Sequence, residues 1–176
     1  MPKEIPLTQG KVALVSDEDF DYLGQSKWHA HFDGTNWYAM RNISVAKGQR
    51  AVLAMHRAIL NPPSNLRVDH INHNGLDNRR ENIRICTHPE NMQNQRKIRG
   101  TSSKYKGTSW NKRIGKWQAY VQPNGVRLHL GYFSTEEEAA AAYDTAAIQY
   151  YGEFANLNLP RIVNEIVAVD EQVTTQ

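Results

Sequence analysis

Residues 68–94 constrain the fold most strongly, because two short strand patterns are followed by a clearly marked helix start. A polar loop rich in Asn and Gly lies between the two patterns. Thr87 and Glu90 have the spacing of a capping box, and Pro89 stands at an early helical position that tolerates proline. We therefore predict a β-hairpin that lies against a capped helix.

This arrangement brings Asp69, His70 and Asn91 to one point. A neutral imidazole can accept a proton from water at physiological pH. A carboxylate and an amide carbonyl are hard oxygen ligands that suit a divalent cation, and two ligands leave positions open for substrate and water. The trio therefore has the residue types that metal-assisted hydrolysis of a phosphodiester requires.

The same segment resembles the HNH endonuclease family, in the phage-type branch whose third motif residue is Asn. The resemblance covers residues 55–97 and is carried by His56-Arg57, Asp69-His70, Asp77-Asn78-Arg79, Asn82-Ile83-Arg84 and Asn91. It implies a ββα-metal core in which His70 is the general base and Asn82 orients the loop or the base. Asp69 and Asn91 would hold Mg²⁺, or Mn²⁺ or another divalent cation, and no zinc is expected.

Three neighbouring residues keep a separate interpretation. The family usually has Gly where His73 stands, so His73 inherits no role. Asn94 is expected to form hydrogen bonds within the helix or to the hairpin, with metal ligation as the alternative. Cys86, the single cysteine, is expected in the core, and it excludes an intramolecular disulfide.

A second module is predicted over residues 105–158. Strand patterns at about 106–110, 116–122 and 126–132 precede a helix that starts after Ser134-Thr135-Glu136-Glu137, an N-cap signal with Glu at the third helical position. Asn124-Gly125 between two alternating runs is typical of a hairpin turn. Gly152 follows the helix as a stop signal.

This module resembles the AP2 DNA-binding domain, through motifs such as Tyr105-Lys106-Gly107, Gly131-Tyr132-Phe133 and Glu138-Ala139-Ala140. The resemblance implies a three-stranded antiparallel sheet that packs on one helix and enters the DNA major groove. By position, the sheet would offer eight side chains to DNA: Lys106, Ser109, Trp110, Arg113, Lys116, Gln122, Arg127 and His129.

Within this module the base preference and one aromatic role stay open. Ser109 and Gln122 stand where plant relatives often have Arg, so a base preference cannot be transferred. Trp117 and Tyr143 are expected in the core between sheet and helix, whereas Trp110 fits either the core or the DNA face.

Charge supports a polyanionic partner. The formal net charge is only +3, but residues 79–116 contain eleven Arg and Lys against two Glu. A solvated basic surface is the alternative on composition alone. The N-terminus has no apolar signal region and no stretch reaches membrane-spanning length, so we expect a monomeric cytoplasmic protein of a bacterial or phage-infected cell.

The predicted class is α+β. Residues 1–55 form a β-rich region that braces the nuclease, with DNA contacts as an addition, and residues 56–98 form the HNH core. Residues 99–104 are a linker, 105–158 the AP2-like domain and 159–176 an unassigned tail. The two modules would be tethered on the same duplex, which raises the local concentration of each.

The expected function is metal-dependent nicking or cleavage of double-stranded DNA, of the homing or free-standing type. A DNA-binding regulator that kept the scaffold without turnover is the main alternative. An RNA-binding or RNA-processing protein is a more distant one.

Overall fold

The computed structural model describes residues 1–97, 100 and 102–160 of the 176-residue chain. The described part contains four helices and ten strands arranged in four small antiparallel sheets, which confirms the α+β class. No helix in these residues is long and apolar enough to cross a membrane. Of the predicted segments, part of the linker (99 and 101) and most of the tail (161–176) lie outside the described residues.

The N-terminal region consists of two small sheets and two helices. Strands β1 (Lys3–Pro6) and β2 (Val12–Val15) form a hairpin, and α1 (Asp17–Gly24) follows. A three-stranded sheet follows, in the order β3 (His29–Phe32), β4 (Trp37–Ala46) and β5 (Gln49–Ala54). The short helix α2 (Met55–Leu60) comes directly after β5.

The predicted hairpin and helix of residues 68–94 are present. Strands β6 (Arg67–His70) and β7 (Ile83–Cys86) are antiparallel, and Asp69 lies opposite Arg84. Helix α3 (His88–Asn94) starts with the predicted capping box, since Thr87 and Glu90 each accept from the other's backbone N–H. Cys86 is buried at the end of β7, as predicted.

The N-terminal region and the β6–β7 hairpin share one hydrophobic core. Ile83 of β7 packs with residues of β1, β2, α1, β4 and α2, including Val15, Leu23 and Met55. The backbone joins them as well, because Leu14 N–H donates to Leu76 O at 2.8 Å and Asn78 N–H donates to Leu14 O at 2.7 Å. Residues before position 56 therefore hold the loop between β6 and β7 in place.

The second module has the predicted order of three strands and one helix. Strands β8 (Thr108–Asn111), β9 (Lys116–Val121) and β10 (Leu128–Phe133) form an antiparallel sheet in the order β10-β9-β8. Helix α4 (Glu136–Tyr151) packs on it, and Tyr143 is 2% exposed in the core that they share, as predicted. A 3₁₀ turn, Gly152–Phe154, follows α4.

Several local predictions differ from the structure by a residue or two. The N-cap of α4 is Thr135 with Glu138 at the third position, one residue beyond the predicted pair. The sequence also predicts an N-cap at Ser16, from Ser16 followed by three acidic residues. Ser16 precedes α1 but its side chain makes no cap bond, because its Oγ accepts from Arg80 N–H at 2.9 Å instead. Strand β1 had no clear sequence signal, since the pattern of residues 3–6 contains only one buried position, Ile5.

Candidate functional site

The β6–β7 hairpin places Asp69 and His70 on opposite faces of one strand, because successive side chains of a strand alternate. Asp69 faces α3, and His70 faces the side of β4 and α2. Both residues are buried, with exposed fractions of 6% and 7%. Asn91, on the first half of α3, lines the same cleft as both of them. The structure thus brings together the three residues that the sequence pointed to.

The Asp69 carboxylate is held by two neighbouring side chains. Arg84 donates from Nε and Nη2 to Oδ2 at 3.0 and 2.9 Å. Asn94 donates from Nδ2 to Oδ1 and Oδ2 at 3.0 and 2.9 Å, and to the His70 carbonyl at 3.2 Å. Asn94 therefore ties α3 to the hairpin, which is the interpretation that we favoured for it over metal ligation.

The His70 ring is held by Asn78. Its Nε2 lies 3.3 Å from Asn78 Oδ1, and because an amide oxygen only accepts, Nε2 must donate. Within the described residues Nδ1 has no hydrogen-bond partner, so it keeps a lone pair for a proton. Burial lowers the pKa of His70, opposed by the hydrogen bond to Asn78 and by the nearby Asp69 and Asp77 carboxylates. The ring is consequently neutral at physiological pH.

Two aromatic rings enclose His70 on the cleft side. His56 meets it edge-on with 5.0 Å between ring centroids, and Tyr38 lies 6.0 Å away. The pKa of His56 is lowered to about 3, chiefly because the ring is buried. Electrostatic repulsion from His70 and Arg57 lowers this pKa further. His56 was noted in the sequence only as part of a recurring pair, and its contact with His70 depends on the packing of α2 against the hairpin.

Asn82 shapes the loop rather than contacting His70. Its Oδ1 accepts from Asn72 N–H at 3.0 Å, and its Nδ2 donates to the Asp77 carbonyl at 2.7 Å. Both bonds close the loop between β6 and β7. Of the two options that the resemblance left for Asn82, the geometry agrees with orientation of the loop, while Asn78 is the residue that contacts the imidazole.

The cleft around these residues has a volume of about 1060 Å³. Four cationic side chains line its wall: Arg57, Arg67, Arg96 and Lys97. His73 also lines it, with a left-handed backbone at φ 62°. A cleft of this size with several cations and one buried carboxylate suits a polyanionic chain.

The donor set of the cleft fits a hard divalent cation. Asp69 Oδ1 accepts one hydrogen bond, from Asn94, and so retains a lone pair. In the part of the chain that the structure describes, the Asn91 side-chain amide makes no hydrogen bond, so its Oδ1 is available as a second oxygen ligand. The described residues contain no group of three or more His, Cys, Asp and Glu that suits a metal ion. A carboxylate and an amide are therefore the candidate ligands.

The outer face of the second sheet is polar, and it carries part of the predicted DNA-contacting set. Ser109, Lys116 and His129 lie on the face away from α4. Arg127 is exposed and its guanidinium stacks over the Tyr120 ring at 3.7 Å. Arg113 is exposed in the turn between β8 and β9. Three of the predicted residues thus share the outer face, and Arg113 and Arg127 are exposed at the two ends of the sheet.

The other three predicted residues have different surroundings. Trp110 lies on the α4 side of the sheet, 39% exposed, with its ring edge-on to Trp117 at 5.2 Å. Gln122 donates to the Gly125 carbonyl at 3.1 Å. Lys106 does not face outward with the sheet, because its Nζ donates to the carbonyls of Gln93 and Gln95 at the end of α3, at 2.5 and 2.7 Å.

The strand register also shows three outer-face residues that were not among the eight predicted from the AP2 resemblance. Asn111, Gln118 and Tyr132 alternate with the inner positions and share the face of Ser109. Gln118 Nε2 donates to Ser109 Oγ at 3.0 Å, and Asn111 Nδ2 donates to Gln118 Oε1 at 3.2 Å. Strict alternation along β9 was the signal that could have identified them.

Comparison with known proteins identifies both modules. A family model described as HNH endonuclease matches residues 61–93, and one described as AP2 domain matches residues 103–153. The second match begins at Ser103, whose Oγ bonds Glu136 of α4 at 2.6 Å. No solved structure gives a significant match to the chain.

The similar proteins divide in the same way. An uncharacterized HNH endonuclease of Acanthamoeba polyphaga mimivirus is 32% identical over 158 residues, which are 85% of this chain and 76% of the viral protein. Dehydration-responsive element-binding protein 2C of Arabidopsis thaliana is 53% identical over 55 residues, 30% of this chain and 16% of the plant protein. APETALA2-like protein 2 of Oryza sativa subsp. indica is 40% identical over 60 residues, 34% of this chain and 14% of its own length.

Proposed function

The chain belongs to the HNH endonuclease family, and on that premise we propose that it is a metal-dependent hydrolase of phosphodiester bonds in double-stranded DNA. The observation that carries the proposal is the meeting of Asp69, His70 and Asn91 in one cation-lined cleft. The AP2 domain supplies a second, polar surface for the same duplex.

His70 acts as the general base in this proposal. Its neutral ring donates through Nε2 to Asn78, which leaves Nδ1 to accept a proton from the attacking water. The water oxygen forms a bond to phosphorus, the bond from phosphorus to the 3′ oxygen breaks, and solvent protonates the leaving oxygen. Asn78 sets the tautomer and the ring orientation.

Asp69 and Asn91 would hold the divalent cation, since they offer a carboxylate oxygen and an amide oxygen to the same cleft. When bound there, Mg²⁺ or Mn²⁺ supplies positive charge for the phosphate and the leaving oxygen. Arg57, Arg67 and Arg96 along the wall attract the flanking phosphates.

Incubation of supercoiled plasmid with the protein tests the proposal. We expect relaxed or linear product with Mg²⁺ or Mn²⁺ and none with a chelator. His70→Ala should abolish cleavage while DNA binding is kept. His31→Ala is the matched control, because His31 is exposed on β3 and does not line the cleft.

The outcomes separate the alternatives. DNA binding without metal-dependent product, over varied duplex sequences, would reject the nuclease and favour a regulator on the HNH scaffold. Preferential binding or cleavage of structured RNA in competition with duplex DNA would reject the DNA substrate, because the major groove of A-form RNA is too narrow for a sheet.

A further inference from the structure

Arg84 lies between the nuclease cleft and the second domain and contacts both. Its Nε and Nη2 donate to Asp69 Oδ2, while Nη1 donates to the Glu153 carbonyl at 2.7 Å. The guanidinium also stacks over the Phe154 ring with 3.9 Å to the centroid. Its side chain is only 12% exposed. Glu153 and Phe154 belong to the 3₁₀ turn that follows α4.

This turn is one part of a larger contact between the two domains. Lys106 caps the end of α3 through the Gln93 and Gln95 carbonyls. Asn156 Nδ2 donates to the Gln95 carbonyl at 3.0 Å, and Lys97 Nζ donates to the Tyr105 carbonyl at 2.8 Å. The second domain is therefore docked on the helix that carries Asn91 and is not merely joined to it by a linker.

The hydrogen bonds distribute unequally over the Asp69 carboxylate. Oδ2 accepts three, two from Arg84 and one from Asn94, whereas Oδ1 accepts one. A carboxylate oxygen has two lone pairs, so Oδ1 is the oxygen that keeps one for a metal ion. Arg84 thereby occupies one oxygen and leaves the other available for a metal ion. An ordinary surface ion pair would need neither two N–H groups on one carboxylate oxygen nor a stacked ring on its far side.

We propose that Arg84 is a positioning residue through which docking of the AP2 domain orients Asp69 for metal binding. The AP2 domain is then a structural part of the nuclease site, in addition to any DNA contact that it makes. Displacement of the turn at Phe154 releases one side of the guanidinium and loosens the carboxylate. This inference rests on the proposed function, because it concerns the orientation of Asp69, the metal ligand of that same site.

Full-length variants test the coupling. Phe154→Leu keeps the apolar character and removes the aromatic face, and Arg84→Lys keeps the charge and removes the planar guanidinium whose two N–H groups hold Asp69 Oδ2. Lys104→Met is the matched control, since Lys104 Nζ pairs with Glu137 of α4 at 3.0 Å, within the second domain, and contacts no residue of the cleft. Binding of Mn²⁺ to the free protein is measured by electron paramagnetic resonance. Duplex affinity in chelator and the single-turnover cleavage rate against Mn²⁺ concentration are measured in parallel.

We expect both test variants to weaken Mn²⁺ binding by about 10- to 100-fold, the usual effect of losing a partner of a metal ligand. Excess Mn²⁺ should restore part of the cleavage rate, duplex affinity in chelator should stay within about 3-fold, and the control should match the wild type. Thermal denaturation shows whether either test variant has unfolded. If one has, the Mn²⁺ binding of the other variant tests the inference.

Two results overturn the inference and are distinguishable. If the wild type cleaves and the variants bind Mn²⁺ normally while losing duplex affinity, the AP2 domain is a tether only. If the wild type neither binds Mn²⁺ nor cleaves DNA, the proposed function fails, and the inference falls with it.

Discussion

Replacing Asn78 with leucine tests how His70 is held. Asn78 is fully buried, its Oδ1 accepts from His70 Nε2, and its Nδ2 has no partner among the described residues. Leucine has a similar volume and removes both amide groups. The imidazole N–H loses its acceptor, which costs about 1–3 kcal/mol in a buried site. Removal of the unpaired Nδ2 offsets a similar amount, so we expect the free energy of unfolding to change by less than about 1 kcal/mol.

The effect on catalysis should be much larger than the effect on stability. Without Asn78 the ring is free to rotate and to change tautomer, and we expect the single-turnover rate to fall about 10- to 100-fold, or about 1.4–2.7 kcal/mol in the barrier. The bond to Asn78 raises the pKa of His70, so its loss lowers that pKa further. The acid limb of the pH–rate profile should therefore move to lower pH.

Single-turnover nicking of supercoiled plasmid, measured from about pH 5 to 9 at saturating metal and protein, gives this profile. Asn78→Asp is the paired variant, because a carboxylate at that position raises the pKa of the imidazole and should move the limb the opposite way. An unchanged rate in Asn78→Leu, or a limb that moves to higher pH, would refute the assignment of Asn78 as the residue that orients the base.

Three further predictions concern pH, salt and packing. Burial holds the pKa of His56 at about 3 against 6.5 for the free side chain, so the unfolded chain binds the extra proton between these values. Stability should fall as pH decreases through that window, by up to about 1.4 kcal/mol per pH unit, and His56→Gln should flatten this slope in urea denaturation. Lys116→Ala should reduce the slope of log affinity against log salt by about 1, as for a phosphate contact. Lys106→Met should leave that slope unchanged and lower the free energy of unfolding by about 1–3 kcal/mol, because its ammonium binds backbone carbonyls. Gly107→Ala should prevent folding of the second domain, seen as lost near-UV circular dichroism, since a Cβ there would lie 2.0 Å from the Tyr143 ring at a φ of 73°. Equal salt slopes for the two lysine variants, or a folded alanine variant, would contradict these assignments.

Local sequence signals predicted most of the strands and helices, and they proposed which residues line the candidate site. The capping box at Thr87 depends on residues three positions apart and is present as predicted, whereas the box that starts α4 lies at Thr135 and Glu138, one residue beyond the predicted pair. The hairpin and helix then bring Asp69 and His70 into the cleft with Asn91, since a strand, a turn and a capped helix leave little choice of geometry. Membership of the HNH family and the AP2 domain followed from these same motifs.

The tertiary structure decided which partner each polar side chain finds. The sequence pointed to Asn82 as the residue that orients the loop or the base. In the structure Asn82 and the backbone of Leu14 hold the loop, and Asn78 is the residue that accepts from the His70 imidazole. Such a choice depends on contacts between segments far apart in the chain, which no local pattern encodes.

The contact between the two domains was decided in the same way. Position within the AP2 motif pointed Lys106 toward DNA, yet its ammonium lies on the carbonyls at the end of α3. Arg84 belongs to the Asn82-Ile83-Arg84 motif of the nuclease, but its stacking on Phe154 exists only because the second domain docks there. The sequence thus determined which polar groups are available to the candidate site. Docking of distant segments determined how they are oriented, because buried charges must find partners wherever the packed chain supplies them.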